Sequence, residues 1–380
     1  MKIYAVLRGF PGLGRVIAGI ELLKYFEENF NADIKISTYF QGESYIKSKG
    51  YNTSVTVDEK DTSSIGIISV SKSGERIIED IILFNPDFVV IDGEPILLHN
   101  LKISYPNLCV VSLLNPFDIN NPHNLKSSQD FFRHMYSHAN LSIVHGLWRE
   151  EKPINFKNFI SINSIVRNTI PSISVSNLSN SIVCLLGGGS KLINSDFTSG
   201  TISIAKQVID VAAINKDLSF TIYTGDENIK KEILGYISSF KYTIENISIV
   251  ERICDEKVIY CQAKLVIARA GRNTISELIS MNMPSIIIPT TANFRGSEQL
   301  SNCKAIERSK YPNIIVHYLK SGTTALNNKM SRLINSSVVT NKGHFKPGNN
   351  KAVEIIMNTI INNKSDYLIE VATEINQNLK

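Results

Sequence analysis

The sequence predicts an α/β protein of two similar Rossmann-like domains, and three observations carry that expectation. Short apolar strands alternate with helical segments along the chain, the pattern of βαβ units on a largely parallel sheet. Each half opens with a strand that runs into glycines: KIYAVL (2–7) before Gly9 to Gly14, and SIVCLLGGGS (181–190). Residues 167–181 are polar, rich in Ser and Asn, and separate the two series as a linker.

In the first half, residues 16–26 have helical composition and DIKIST (33–38) reads as the next strand. A helix near 74–84 leads to DFVVID (87–92), and NLCVVSLL (107–114) is another strand. A helix near 127–138 precedes the strand LSIVHG (141–146). In the second half, a helix over 197–214 is followed by strands SFTIYTG (219–225) and ISIVERI (247–253). AKLVIARAG (263–271), a helix at 273–281 and PSIIIP (284–289) complete that core. The domains expected are therefore 1–166 and 182–350, joined by 167–181, with C-terminal helices over 351–380 that can return to the first domain. A length of 380 residues is comfortable for two domains.

Hydrophobic content of 43% and charged content of 20% fit a globular protein. The net charge is 40 − 35 = +5, without a dense Lys/Arg block. Nucleic acid is therefore not expected as a partner; modest attraction to an anionic membrane surface is compatible. The cysteines (Cys109, Cys184, Cys254, Cys261, Cys303) show no CxxC pair and read as small buried apolar residues of a reducing compartment. MKIYAVL is too brief for a signal peptide, and no apolar run reaches the ~18 residues of a membrane span. The location expected is cytoplasmic, with membrane association allowed.

Chemistry-bearing residues gather at strand–helix junctions. Gly188, Gly189 and Ser190 follow a strand and precede a helix, where backbone N–H groups attract phosphate. The first-half turn, with Gly12 and Gly14, lacks a Walker A lysine and the full GxGxxG spacing. At the next junction of this kind, Gly271 precedes Asn273 and Thr274. Thr274 and Glu277 have capping-box spacing, so Glu277 is equally a helix cap and a ribose ligand. Glu298 and Gln299, with Asn302 one turn on, suit polyol recognition or an ordinary helix start. Asp92 and Glu94 lie just past a strand's carboxyl end, where open α/β sheets bind ligands. His134 and His138 are four apart on a helix, but no HExxH pattern accompanies them; they read as solvated or partly packed, and no metal is assigned.

Together these residues resemble nucleotide-sugar glycosyltransferases of the GT-B fold, in particular the bacterial cell-wall N-acetylglucosaminyltransferase and related UDP-glycosyltransferases. Within residues 255–305, CQAKLVIARAGRNTISELISMNMPSIIIP and EQLSNC follow the family pattern nearly position by position. The resemblance implies two domains facing across a cleft, and a transferase that needs no metal or cofactor beyond its nucleotide-sugar co-substrate, UDP-sugar favoured over dTDP-sugar. It implies Glu277 on the donor ribose, Gly188, Gly189, Ser190, Asn273 and Thr274 around the diphosphate, and Gly271 within the donor site. Glu298 and Gln299 would meet the sugar hydroxyls, and Ile253 the uracil.

PDFVVIDGEP matches the acceptor side of related transferases more loosely; Gly12, Gly14, Asn115 and His123 are assigned to that side. Many relatives carry Gly-His in the first glycine turn, where this chain has Gly14-Arg15. Arginine cannot serve as a base at neutral pH. The candidates for the base are Asp92 and Glu94, the alternative being a mechanism that relies on leaving-group stabilisation, with Arg15 adding positive charge near the diphosphate. The rival readings are a UDP-sugar hydrolase or 2-epimerase on the same scaffold, and a non-catalytic sugar-nucleotide-binding protein. The acceptor stays open among small natural products, peptides, polysaccharides and lipid-linked saccharides.

Overall fold

The computed structural model describes residues 1–10, 12–63, 67–68, 71–154, 156–167, 180–187, 195–251, 256–290, 293–336 and 345–361. The chain divides into two compact units, Met1–Val166 with Gly348–Lys380, and Arg167–Pro347.

The first unit holds β1 (Lys2–Leu7), β2 (Asp33–Thr38), β3 (Phe88–Asp92), β4 (Val110–Leu114), β5 (Leu141–Gly146) and β6 (Phe159–Asn163). They form one sheet in the order β2-β1-β3-β4-β5-β6, and every pairing is parallel. Its helices are α1 (Gly14–Phe30), α2 (Gln41–Ser48), α3 (Lys72–Phe84), α4 (Pro95–Ser104), α5 (Pro116–Ile119) and α6 (Lys126–Ser137). The alternation of strand side chains splits the core: Ile3, Ala5 and Leu7 face one apolar layer, while Tyr4 and Val6 face the other. Covering both faces is what an all-parallel sheet requires.

The second unit holds β7 (Ser181–Leu185), β8 (Ser219–Tyr223), β9 (Ile247–Val250), β10 (Ala263–Arg269), β11 (Ser285–Ile288) and β12 (Ile314–Val316). The order is β12-β11-β10-β7-β8-β9, again wholly parallel. Around it lie α7 (Ser195–Ile214), α8 (Glu227–Ser238), α9 (Glu256–Gln262), α10 (Arg272–Ser280), α11 (Asn293–Ser309) and α12 (Gly322–Asn335).

Each sheet reverses its strand progression once. In the first the reversal falls between β1 and β3, in the second between β7 and β10. The loops leaving such a pair diverge to opposite faces, and a crevice opens at the carboxyl ends.

The two-domain α/β expectation agrees with this architecture, and the strands read from sequence agree within a few residues. Missed were β6, β12, α2, α4, α5, α8, α9 and α12. β6 is a half-buried edge strand, β12 has only three residues, and α4 runs straight on from the carboxylates of DFVVIDGEP with weak amphipathic contrast. Cys109, Cys184 and Cys303 are buried as expected, but Cys261 is exposed on α9. Cys254 lies outside the described residues. No described helix is long and apolar enough to cross a membrane.

The C-terminal helix at 349–361, α13, belongs to the first unit, where Ala352, Val353, Ile356 and Ile360 join the Ile3 layer. Residues 362–380 and the linker call at 168–179 lie outside the described residues. Asn349 anchors the return: its Oδ1 accepts from Val166 N at 3.0 Å and its Nδ2 donates to Val166 O at 2.7 Å, all buried. Asn349→Ala would orphan both backbone groups of Val166. We expect a loss of about 2–4 kcal/mol, read as an earlier urea transition of the first unit; an unmoved transition would show that the anchor contributes nothing.

Candidate functional site

In the first unit, the carboxyl ends of β1 and β3 bring Arg15, Asp92 and Glu94 together. Arg15 enters from the first turn of α1, only 7% exposed. Its Nη1 donates to Asp92 Oδ1 at 2.5 Å and its Nη2 to Asp118 Oδ1 at 2.5 Å. Burial works against the guanidinium charge, but Asp118 and Asp92 outweigh it and leave Arg15 more basic than usual. Burial likewise opposes the Asp118 carboxylate; Arg15 reverses that and holds Asp118 below the ordinary carboxylate range. The backbone allows the approach at Gly93, whose φ is +87° and where an added Cβ would lie 2.9 Å from Arg15 Cδ.

Glu94 is fully buried. It accepts from the Tyr39 hydroxyl and, at 2.8 Å, from Ile68 N. Burial nevertheless prevails over these donors and over nearby Arg8, and pushes the Glu94 carboxyl up to about 7. Asn115 caps α5 by accepting from Phe117 N at 3.1 Å, and Asp118 completes the capping box. His123 sits exposed in the following loop; Gly12 has open space around it.

Arg15 was expected to offer positive charge to a diphosphate. In the structure its guanidinium is shared by two carboxylates, Asp92 at the end of β3 and Asp118 in α5. The partner missed in the sequence is Asp118, whose only signal was its position just beyond a strand end.

In the second unit, β10 ends in Arg269 beside the end of β7. Gly187 there has φ +85°, a conformation that favours glycine, and an added Cβ would lie 2.5 Å from Arg269 Nη2. Arg269 Nη1 also donates to Thr201 Oγ1 at 3.2 Å. Gly188, Gly189, Ser190 and Ile253 lie outside the described residues. Gly271 is the N-cap of α10 and has no side chain to bond the first N–H groups, which leaves an anion-favouring helix start. Asn273 and Thr274 stand in that first turn; Asn273 Oδ1 accepts from Arg272 Nε at 3.2 Å.

Glu277 is not a cap. The helix begins at Arg272, which puts Glu277 in the second turn, and the capping-box reading fails because Thr274 is already helical. Glu277 is 2% exposed and forms a bidentate pair with Arg167, Nε to Oε1 at 2.6 Å and Nη2 to Oε2 at 3.0 Å. The Tyr260 hydroxyl donates to Oε2 at 3.0 Å. A carboxylate offers about four lone-pair sites, so these three donors leave one for a ligand. Gln299 Oε1 accepts from Thr290 N at 2.9 Å, and Asn302 Nδ2 donates to Ala270 O at 2.9 Å. Both therefore brace the loops beyond β11 and β10. Arg167, Tyr260 and Arg269 were missed, although an arginine ending the apolar strand LVIAR was a readable signal.

Residues 182–355 match the glycosyltransferase family 28 C-terminal domain. Among curated proteins, the UDP-N-acetylglucosamine–N-acetylmuramyl-(pentapeptide) pyrophosphoryl-undecaprenol N-acetylglucosamine transferase of Clostridium perfringens (strain SM101 / Type A) is 29% identical over 136 residues, covering 35% of this chain and 33% of that one. The enzyme of the same name from Pseudothermotoga lettingae is 32% identical over 128 residues, covering 33% and 32%. The matched stretches thus span about a third of these relatives' length. Among solved structures, MurG of Acinetobacter baumannii has a TM-score of 0.59 at 13% identity, covering 94% of this chain and 100% of that one. The UDP-GlcNAc 2-epimerase of Neisseria meningitidis has 0.61 at 13%, covering 95% and 100%. The chain has the GT-B fold, and it resembles the nucleotide-sugar glycosyltransferases built on it.

Two outcomes test the first cluster. Arg15→Met would leave Asp92 and Asp118 buried without their cation, and we expect a destabilisation of about 3–5 kcal/mol in chemical denaturation. For Glu94 the folded-state value is raised, so the folded protein holds the extra proton between pH 4.5 and 7. Stability from this group is full below about pH 4.5 and falls as pH rises to 7, by on the order of 3 kcal/mol. Subtracting the pH profile of Glu94→Gln from that of the parent should isolate this decline; identical slopes would refute the assignment.

Proposed function

We propose that this protein is a glycosyltransferase that moves a sugar from a UDP-sugar to an acceptor hydroxyl or amine, with no metal at the reacting centre; dTDP-sugar is the alternative donor. The observation that carries the reading is Glu277, held rigid by Arg167 and Tyr260 beside the glycine-capped start of α10, within the family 28 match. The remaining lone pair of Glu277 would accept from a ribose hydroxyl. The N–H groups opening α10, with Arg269 close by, would stabilise charge on the departing diphosphate, since oriented donors are worth most where charge develops.

Of the two carboxylates assigned as base, Glu94 is matched to proton transfer at neutral pH, whereas Asp92 is committed to Arg15. Both are buried, so each can act only on a group brought to the end of β3.

Calorimetric titration with UDP, dTDP and GDP tests the donor site. UDP or dTDP should bind with a dissociation constant on the order of micromolar, and Glu277→Gln should weaken it about tenfold or more. If no nucleotide binds, the reading is lost. Because the GT-B fold is shared with the epimerase of N. meningitidis, incubation with UDP-N-acetylglucosamine and no acceptor separates the rivals. Rapid release or epimerisation of the sugar would replace the transferase reading.

A further inference from the structure

A second cluster lies at the other end of the first sheet. Residues His134 and His138 stand on the last turn of α6 and just beyond it, close to where β5 begins. His99 reaches them from α4, which packs against α6. The three rings are mutually adjacent: His99 and His138 centroids are 4.5 Å apart, His134 and His138 4.9 Å, and His99 and His134 5.8 Å. One nitrogen of each ring lies within 4.8 Å of the others.

We propose that His99, His134 and His138 form a binding site for a divalent transition metal of the zinc class, which ties α4 to α6.

The geometry is close to what such an ion needs. With metal–nitrogen bonds of ~2.0–2.1 Å in a tetrahedron, neighbouring ligand nitrogens stand about 3.3 Å apart. His134 Nε2 and His138 Nε2 are 3.4 Å apart. Imidazole suits zinc, cobalt and nickel, and His134 is exposed, so an ion has a way in and solvent a fourth position. His99 is half-buried, and its Nδ1 makes no hydrogen bond among the described residues.

The nearest cation does not fill the site. Lys102 Nζ is engaged by the carbonyl oxygens of Pro106 and Leu108 and by Asn140 Oδ1. The site belongs to neither strand-reversal crevice, so it is independent of the transferase reading. What the sequence showed was only the His134–His138 pair; the third ligand comes from a helix 35 positions earlier, 134 − 99 = 35.

Tag-free protein titrated with Co²⁺ alone should develop the visible bands of tetrahedral cobalt at one equivalent, and Zn²⁺ should displace them. An i, i+4 histidine pair can hold a metal weakly by itself, so His99→Asn is the deciding variant. It should weaken Zn²⁺ binding about tenfold or more and abolish the cobalt bands. Zn²⁺ should also raise the thermal midpoint of the parent and leave that of His99→Asn unmoved. The exposed His134→Gln, whose fold is checked by circular dichroism, should behave the same way. Absence of one-equivalent binding, or equal affinity in the parent and both variants, would overturn the site.

Discussion

Parallel strands covered on both faces leave no room for polar chemistry along their length. In β3, all of Phe88–Asp92 is buried, and in β10 the run from Leu265 to Ala268 is fully enclosed. A charged side chain there would lose its water and gain no partner. Polar groups are therefore pushed to the strand ends, and among these the carboxyl ends at a reversal of strand order offer both space and helix starts. Every candidate site residue described in the two units follows from that constraint, except the tail anchor and the histidine cluster.

The two crevices meet the constraint differently. Near β1 and β3, charge is balanced internally: Arg15 is shared between Asp92 and Asp118, while Glu94 is relieved by holding a proton up to about pH 7. Arg15 is the keystone of this network, because removing it leaves two carboxylates without their cation. Near β7 and β10, the charge is arranged toward a ligand. Gly271 leaves a helix start without a side-chain cap, Gly187 admits Arg269, and Glu277 keeps one acceptor site after Arg167 and Tyr260 are served. The first arrangement suits proton chemistry and positioning, the second an anion at a helix start without a side-chain cap.

The agreement between the sequence reading and the fold was uneven for physical reasons. Strands such as KIYAVL and AKLVIAR announce themselves because burial on both faces demands unbroken apolar runs. Helix α4 did not, since it begins directly beyond a strand end and its apolar residues are spread around much of its circumference. Glu277 was legible as a candidate site residue through the order of residues around it. Its role as a cap was equally legible and wrong, because capping-box spacing says nothing about where the helix begins. Gln299 and Asn302 looked alike as polyol ligands, yet their amides hold backbone groups of Thr290 and Ala270.

By itself the sequence determined the α/β class, the two strand series, the glycine turns and the stretch from Ala268 to Asn302 that carries the family resemblance. These are local properties: periodicity, apolar runs and spacing survive without knowledge of the partner across space. Only the tertiary structure decided the pairings. Arg15 with Asp118, Arg167 with Glu277, Asn349 with Val166 and His99 with His138 join residues that are distant along the chain. Whether a charged side chain is a ligand, a brace or a neutralised pair depends on what stands within about 3 Å of it. That distance is set by which strands lie side by side, and so by the order of the sheet.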